Sequence, residues 1–420
     1  MLVSRRQFLK SSMLVAPSFA FMPAIFKRAV AAATTETFNS SPASPSGTLV
    51  IVQMAGGNDG LNTVVPYNDD RYYDLRGNIA LAQKDVLPLN NEVGFHPAMA
   101  KLKELWDEDI LAIVEGVGYP NPSFSHFESM DIWQSADLNR NYKDGWLGRY
   151  FDSLQQTQSH PFQGMAVGKK LPPSLRSSKV SIPTVESVDQ YRLNSISLLK
   201  KHVPDYAEAR AEAVLKLFAA SPRGAPYSVL LDNTVEAAYQ SSLALQGAHA
   251  TYKPGAIYPE TKLGKALKLV AEAIIGDLGV KVGHVSIGGF DTHADQPEEH
   301  ADLLRSLSEA MAAFYQDLKA HGKDKDVTIM TWSEFGRRVT SNASDGTDHG
   351  TAGPMFLLGT PVKGGLYGER PDLRDLGNNN LRFTTDFRSV YATVFEQILG
   401  VPAEAMLGTS EYKPLSLITG

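Results

Sequence analysis

Acidic and imidazole side chains stand together in two short, glycine-rich segments of the chain. One segment contains Asp291 and His293, separated by a single residue, and the other contains Asp348 and His349 between glycines. Carboxylate oxygen and imidazole nitrogen both bind divalent cations such as zinc or manganese. Asp291 could instead cap the following helix, whereas Asp348 and His349 have no predicted helix to cap. The two segments therefore predict metal ligands.

Glu334 and Arg337 directly follow a predicted buried strand, where a charged side chain is poorly placed for solvent. These two side chains could simply pair with each other. We interpret Glu334 as a metal ligand or a base. Arg337 is a candidate anion clamp, because a guanidinium group matches the oxygens of phosphate or sulfate.

A serine and a histidine stand at the predicted start of a helix, in the sequence Ser125-His126-Phe127. The N-terminus of a helix stabilises an anion or a deprotonated hydroxyl, so Ser125 is a candidate nucleophile. The alternative role for this hydroxyl is an N-cap, and Ser123 is a second candidate for that cap. His126 could be a metal ligand, an acid/base group or a hydrogen-bonded wall residue.

Asn58 and Asp59 lie in a turn between glycines, which let the backbone approach a ligand closely. Taken alone, the same residues are those of an ordinary turn. Together, the segments supply at least three carboxylates, at least two imidazoles and a serine, which is the inventory of a hydrolytic centre with one or two metal ions. We expect zinc or a manganese- or calcium-type divalent ion. His300 is interpreted as structural, and six other histidines receive no role: His96, His160, His202, His249, His284 and His321.

The segments must be brought together by the elements that precede them. Apolar runs predict strands at residues 48–54, 110–114, 282–287, 327–331 and 355–358. Helical periodicity is found at 303–318 and 386–399. This alternation predicts an α/β fold with a doubly wound, mostly parallel sheet flanked by helices, in which reactive groups collect beyond the carboxyl ends of the strands. A helical insertion is predicted at about residues 183–267.

Composition excludes several classes of function. The net charge of −6 and the lack of a long basic run argue against a nucleic-acid partner. The absence of cysteine excludes disulfides, thiolate zinc sites and a cysteine nucleophile.

The first residues of the chain have the features of an export signal. Ser4-Arg5-Arg6-Gln7-Phe8-Leu9-Lys10 precedes an apolar stretch and an alanine-rich exit, which predicts a twin-arginine (Tat) signal peptide at residues 1–33. The apolar stretch is shorter than the ~20 residues of a bilayer span and contains two prolines. Residues 34–46 are predicted to be a flexible tether, followed by a single large domain at 47–420. We therefore expect the Tat translocase as an export partner and a periplasmic or extracellular location.

Five blocks of the sequence resemble a known family, the Tat-exported proteins called domain of unknown function 1501. The blocks are Gly56-Gly57-Asn58-Asp59-Gly60, Ser125-His126-Phe127, Phe290-Asp291-Thr292-His293, Ser333-Glu334-Phe335-Gly336-Arg337 and Gly346-Thr347-Asp348-His349-Gly350. That family in turn resembles the alkaline phosphatase and sulfatase superfamily, so the resemblance implies an alkaline phosphatase-like fold.

The resemblance also implies roles for residues. Asp59 would bridge two metals and Ser125 would be the nucleophile. Asp291 and His293 would hold one ion, Glu334 would lie beside the other, and His349 would complete the shell. The chain departs from the superfamily in placing its Asp348-His349 pair before a different strand. It also has no cysteine, and no serine in a sulfatase signature, so ordinary sulfatase chemistry is not expected.

The sequence thus predicts an exported, metal-dependent hydrolase of a phosphate or related ester. Its substrate would be a small anionic ester or a surface glycan. The alternative is a catalytically silent envelope protein that keeps the fold and acts as an assembly or binding partner. A redox enzyme is not supported, because the glycines at 56–60 do not have the spacing of a dinucleotide-binding fingerprint.

Overall fold

The computed structural model describes residues 47–154, 162–191 and 228–418. The predicted signal peptide and tether, at residues 1–46, lie outside these ranges, as does much of the predicted helical insertion. In the described part of the chain, no helix combines the length and apolar character needed to cross a bilayer.

The strands of the described residues range from two to eight residues in length. They are β1 Thr48–Ala55, β2 Val64–Val65, β3 Leu87–Pro88, β4 Gly94–Phe95, β5 Leu111–Gly118, β6 Gly164–Val167, β7 Thr184–Val185, β8 Val282–Gly288, β9 Val327–Trp332, β10 Gly353–Leu358, β11 Gly365–Tyr367, β12 Leu376–Gly377, β13 Asn380–Leu381 and β14 Thr385–Asp386.

Nine of these strands form one central sheet in the order β11-β5-β10-β9-β1-β8-β6-β7, with β14 also paired to β5. All neighbours pair in parallel except β10, which runs antiparallel to both β5 and β9. At the centre, Leu49 of β1 pairs with Val282 of β8 and with Thr328 of β9. The predicted sheet, mostly parallel and flanked by helices, is therefore confirmed.

The α-helices of the described residues connect or cover these strands. They are α1 Gly60–Thr63, α2 Asp70–Arg76, α3 Ala100–Asp107, α4 His126–Ser135, α5 Trp146–Ser153, α6 Ser228–Thr251, α7 Lys262–Ile275, α8 Gln296–Ala320, α9 Phe387–Thr393 and α10 Ala403–Leu407. A π-helical turn at Val394–Ile398 extends α9, so the terminal helix predicted at 386–399 changes its hydrogen-bond pattern midway.

Two hydrophobic cores lie on opposite faces of the sheet. Successive side chains of a strand point to opposite faces, and β1 shows this alternation: Val50 and Val52 belong to the core under α3, α7 and α8, whereas Leu49 and Ile51 belong to the core under α4, α5, α9 and α10. Because both faces are covered, the central strands are largely apolar.

The region predicted as a helical insertion is more closely joined to the sheet than the sequence indicated. Its start falls on β7, which pairs in parallel with β6 at the edge of the central sheet. Its end falls on α7, whose Leu267 and Val270 are fully buried in a main core. Residues 192–227 between them are outside the described ranges.

A histidine is buried in the centre of the sheet. His284 of β8 pairs in register with Ile51 and Ala166, is 2% exposed, and its Nε2 has no hydrogen-bond partner. Burial lowers the pKa of His284 to about 3, because a charged imidazole would lose its hydration.

We predict that His284 makes the fold sensitive to mild acid. Its folded-state pKa is below the unfolded value of about 6.5, so the unfolded state binds more protons and stability falls as pH falls through this window. Between pH 7 and pH 5 the loss should be about 2 kcal/mol. Urea unfolding at both pH values should show a smaller decrease in the free energy of unfolding for His284→Leu than for the wild type. An equal decrease in the two proteins would show that His284 does not cause the acid sensitivity.

Candidate metal centre

Four strands bring most of the predicted site residues to one edge of the central sheet. His126 follows β5, Glu334 and Arg337 follow β9, and Asp291 and His293 follow β8. The carboxyl ends of parallel strands share one edge. His349 precedes β10, but β10 is antiparallel to its neighbours, so its amino end lies at that same edge.

Three imidazoles surround the carboxylate of Asp291. The Nε2 atoms of His293 and His349 each lie 3.0 Å from Asp291 Oδ1, and the Nε2 atom of His126 lies 3.4 Å from Oδ2. The ligand atoms of His126, Asp291 and His349 all lie within 4.8 Å of one another. We call Asp291 with these three histidines the Asp291 cluster.

The other nitrogen of each imidazole faces an oxygen. His126 Nδ1 is 2.8 Å from Glu334 Oε1, His349 Nδ1 is 2.7 Å from the Phe124 carbonyl, and His293 Nδ1 is 3.3 Å from Asp348 Oδ1. Carbonyl and carboxylate oxygens only accept hydrogen bonds, so each of these partners can accept a proton from Nδ1, which leaves the Nε2 lone pair free for a cation. In the other protonation state, His349 Nε2 donates to Asp291 Oδ1 at 3.0 Å.

This arrangement fits a cation. The Nε2 atoms of His293 and His349 are 3.0 Å apart, so either a proton or a metal ion must lie between them to prevent repulsion of their lone pairs. The Nε2 atom of His126 is buried without a hydrogen-bond partner. Ligand atoms of a tetrahedral zinc ion, each about 2.0–2.1 Å from the metal, are about 3.3 Å apart, and the contacts to Asp291 span 3.0–3.4 Å.

Glu334 and Phe335 fix the orientation of the rings. The buried Glu334 carboxylate accepts the Gly56 amide at 2.9 Å as well as His126 Nδ1. The buried Phe335 ring lies 4.9 Å from the His126 ring and 4.7 Å from the His349 ring, measured between centroids. Glu334 therefore contacts an imidazole rather than the cluster centre, as Asp348 does for His293. Such outer partners fix the tautomer and raise the basicity of metal-binding histidines.

Arg337 does not face solvent, in contrast to the anion clamp expected from the sequence. The residue is 1% exposed, and its guanidinium donates to the carbonyls of Gly56, Gly57, Phe290 and Thr347 and to Asp291 Oδ1. Every nitrogen of the group is used in this way. Its role in the structure is to join the turns after β1 and β8 to the loop before β10.

The charge of Asp291 is stabilised by its surroundings. Partial burial raises the pKa of its carboxyl group, but the hydrogen bonds from Arg337 and His349 together with the charges of Arg337 and His126 outweigh that effect and hold the pKa well below the ordinary value. Nearly half of the Asp291 side chain is nevertheless exposed, as is His293. The cluster therefore offers an anionic ligand that is open to solvent on one side.

Asp59 lies apart from the Asp291 cluster. Both of its oxygens accept from the Arg76 guanidinium at 2.7 Å, and Gln296 donates to one of them. Asp59 and Arg76 have fully buried side chains. Burial raises the pKa of Asp59, but the charges of Arg76 and His300 together with the hydrogen bonds from Arg76 and Gln296 lower it by more. A metal-bridging role, which the resemblance implied, conflicts with this arrangement, because the guanidinium already occupies the carboxylate.

Ser125 occupies the N-cap position of α4, but its hydroxyl does not cap the helix. Its carbonyl accepts the Ser129 amide at 2.9 Å. The hydroxyl of Ser123 accepts the Ser125 amide at 3.1 Å and donates to Glu128. The Ser125 hydroxyl therefore takes no part in capping α4.

Sequence reasoning missed two kinds of contact at the site. Arg76 gave no signal, because an arginine in a polar helix is usually solvated. The Phe124 carbonyl that orients His349 is a backbone atom, which no residue type can reveal. Gly56 did give a signal in the sequence, because glycines there indicate a close approach of the backbone. In the structure its φ is +122°, and a Cβ would lie 2.5 Å from the Asp291 amide nitrogen, so only glycine fits.

The sequence matches a known family over most of its length. The model of the family described as "Protein of unknown function (DUF1501)" matches residues 112–415. No curated protein matches the chain.

Solved structures with a similar arrangement include members of the superfamily that the resemblance implied. A protein in the alkaline phosphatase superfamily from Vibrio parahaemolyticus is 10% identical, with a TM-score of 0.38 over 93% of this chain and 78% of that chain. The lipoteichoic acid synthase LtaP from Listeria monocytogenes is 9% identical, with a TM-score of 0.39 over 87% and 76%. The PsFucS1 sulfatase from Pseudoalteromonas sp. is 9% identical, with a TM-score of 0.38 over 88% and 71%. Likenesses this distant do not bear on activity.

We predict that Arg337→Lys destabilises the protein by about 3–5 kcal/mol, because an ammonium group cannot reach the buried acceptors that the guanidinium satisfies. Urea unfolding should detect this loss. The matched control is Arg305→Lys on α8, where the side chain is half exposed and the change should cost less than about 0.5 kcal/mol. Equal stability of the two variants would show that Arg337 does not hold the loops together.

Proposed function

We propose that this chain, which belongs to the DUF1501 family, is a metal-dependent hydrolase of a phosphate or related ester. The observation that supports the proposal most directly is the convergence of three imidazole Nε2 atoms on the Asp291 carboxylate. Each imidazole is held by an oxygen at its other nitrogen, which is the arrangement of a metal-binding histidine.

The ligands proposed are His126, Asp291, His293 and His349. Three imidazoles and one carboxylate favour zinc or another transition ion over calcium or magnesium, which prefer oxygen ligands. We propose a single ion, because Asp59, the residue expected to bridge two ions, is paired with Arg76 and lies apart from the cluster. A bound divalent ion would act as a Lewis acid that stabilises the negative charge developing on the ester oxygens.

The exposed side of the Asp291 cluster supports a catalytic rather than a purely structural centre. Nearly half of the Asp291 and His293 side chains is accessible to solvent. A structural metal site is closed by its protein ligands, whereas a catalytic one leaves room for a substrate oxygen. Arg337 would act as a positioning residue, because its contact with Asp291 Oδ1 holds the carboxylate in place.

Ser125 is the proposed nucleophile. It immediately precedes His126 at the amino end of α4, and its hydroxyl is not used as a cap. The helix dipole and the free amides of the first turn would stabilise negative charge on its oxygen. In this reaction the Ser125 oxygen loses its proton and bonds to phosphorus as the bond to the leaving oxygen breaks, and the leaving oxygen takes up a proton. Water then loses a proton and bonds to phosphorus as the bond to the Ser125 oxygen breaks, which releases phosphate and returns a proton to the serine.

We also propose that the Tat signal directs the chain to the periplasm or the cell exterior. Ser4-Arg5-Arg6 and the apolar stretch after it support this location. Recovery of the full-length chain from the cytoplasmic fraction alone would contradict it.

We predict that the purified protein carries about one transition-metal ion per chain, and that Asp291→Ala combined with His349→Ala removes it. Elemental analysis of protein prepared without added metal makes the measurement. His249→Ala is the matched control, because His249 lies on α6 and pairs with Glu272 away from the cluster. Equal metal content in the double variant and the control would defeat the ligand assignment.

We predict that Ser125→Ala lowers hydrolysis of 4-nitrophenyl phosphate by on the order of a thousandfold while metal content stays unchanged. Ser153→Ala, on α5, is the control and should keep the wild-type rate. Undiminished turnover in Ser125→Ala would transfer the nucleophilic role to water. A metal-loaded wild-type protein that cleaves neither phosphate nor sulfate esters would favour the catalytically silent alternative.

A further inference from the structure

Two phenylalanines at the border of the Asp291 cluster have exposed side chains. Phe127 is 87% exposed and Phe124 is 45% exposed. Phe127 follows His126 in the first turn of α4, and the carbonyl of Phe124 accepts the hydrogen bond from His349 Nδ1. We call these two residues the phenylalanine rim.

The fold does not require these side chains to be aromatic. An apolar residue just before an N-cap commonly packs on the fourth residue of the helix, and this contact fixes the entry of the chain. For α4 that fourth residue is Ser129, which is buried and hydrogen-bonded to the Tyr119 hydroxyl. Phe124 therefore has no apolar partner at that position. Exposed aromatic rings next to a polar centre are characteristic of ligand-binding surfaces.

Polar side chains border the rim. Ser123 Oγ donates to Glu128 Oε2 at 2.7 Å, and Arg140 lies 3.3 Å from Glu128 Oε1. The Glu128 and Arg140 side chains are each about half exposed. The surface therefore presents an apolar platform beside hydroxyl, carboxylate and guanidinium groups, which can exchange hydrogen bonds with a polyhydroxylated ligand.

Two other occupants fit this surface less well. A membrane with anionic headgroups attracts basic segments, whereas Glu128 and Asp131 stand in this part of α4 and the chain carries a net charge of −6. A second copy of the chain would need an interface of about 20–30 residues on each side, and two phenylalanines among charged groups do not supply its apolar centre.

We propose that the phenylalanine rim binds the pyranose ring of a glycan and thereby presents an ester on that glycan to the Asp291 cluster. The flat C–H face of a pyranose is apolar and packs on an aromatic ring, while its hydroxyl groups reach Glu128 and Arg140. The proposal rests on the proposed function for the ester chemistry, but the binding step depends on the phenylalanines alone.

An array of pyranose oligosaccharides, plain and carrying phosphate or sulfate esters, tests this binding with the full chain. Wild-type protein should bind, Phe127→Ala should bind about tenfold more weakly, and Phe127→Trp should retain binding. Ile257→Ala is the matched control, because Ile257 is 96% exposed on a remote loop and its removal should change nothing. Asp291→Ala should keep binding to plain glycans and lose the preference for esters, because Asp291 belongs to the cluster and has no hydrogen bond to Phe124.

The outcomes separate this inference from the proposed function. If the Asp291→Ala, His349→Ala double variant retained its metal, the proposed function would fail, while the effect of Phe127→Ala on plain glycans would still support glycan binding. Absence of glycan binding by the wild type, or equal binding by Phe127→Ala, overturns the inference. It is also overturned if Phe127→Ala abolishes co-sedimentation with phosphatidylglycerol vesicles, which would indicate a membrane, or abolishes a dimer seen by light scattering.

Discussion

The candidate site depends on one buried guanidinium. Arg337 donates to backbone carbonyls in the turns after β1 and β8 and in the loop before β10, and to the carboxylate of Asp291. A buried charge is tolerated only when its hydrogen-bonding groups are satisfied. The positions of three separate loops are therefore coupled to one side chain, and Asp291 is placed by the same contact.

Two acidic residues of these turns differ in burial and in their partners. Asp59 is fully buried and is neutralised inside the protein by Arg76 and Gln296. Asp291 accepts a hydrogen bond from the buried Arg337, but nearly half of the Asp291 side chain is open to solvent. Three imidazoles surround its carboxylate. The first carboxylate is thus part of the scaffold, and the second is the one available to an external cation.

The antiparallel strand β10 explains how a residue that precedes its strand reaches the site. A loop that precedes a parallel strand would lie at the far edge of the sheet. Because β10 is antiparallel to β5 and β9, the loop that precedes it lies at the same edge as the turns that follow its neighbours. His349 consequently reaches Asp291, and the isolated pairing of His349 with Arg337 closes the loop against the turn after β9.

The sequence by itself determined the sheet-forming segments and most of the residues that meet at the site. Apolar runs at β1, β5, β8, β9 and β10 are local signals, and Asp291, His293 and His349 stand in glycine-rich turns whose composition is unusual for scaffold. Only the tertiary structure decided which residues face the cluster centre. His126 faces it through Nε2, whereas Glu334 and Asp348 contact imidazoles instead. Asp59 is paired with Arg76. The physical reason is that residue type sets what a side chain can bind, whereas the partner it does bind depends on strand direction and on contacts between residues far apart in the chain.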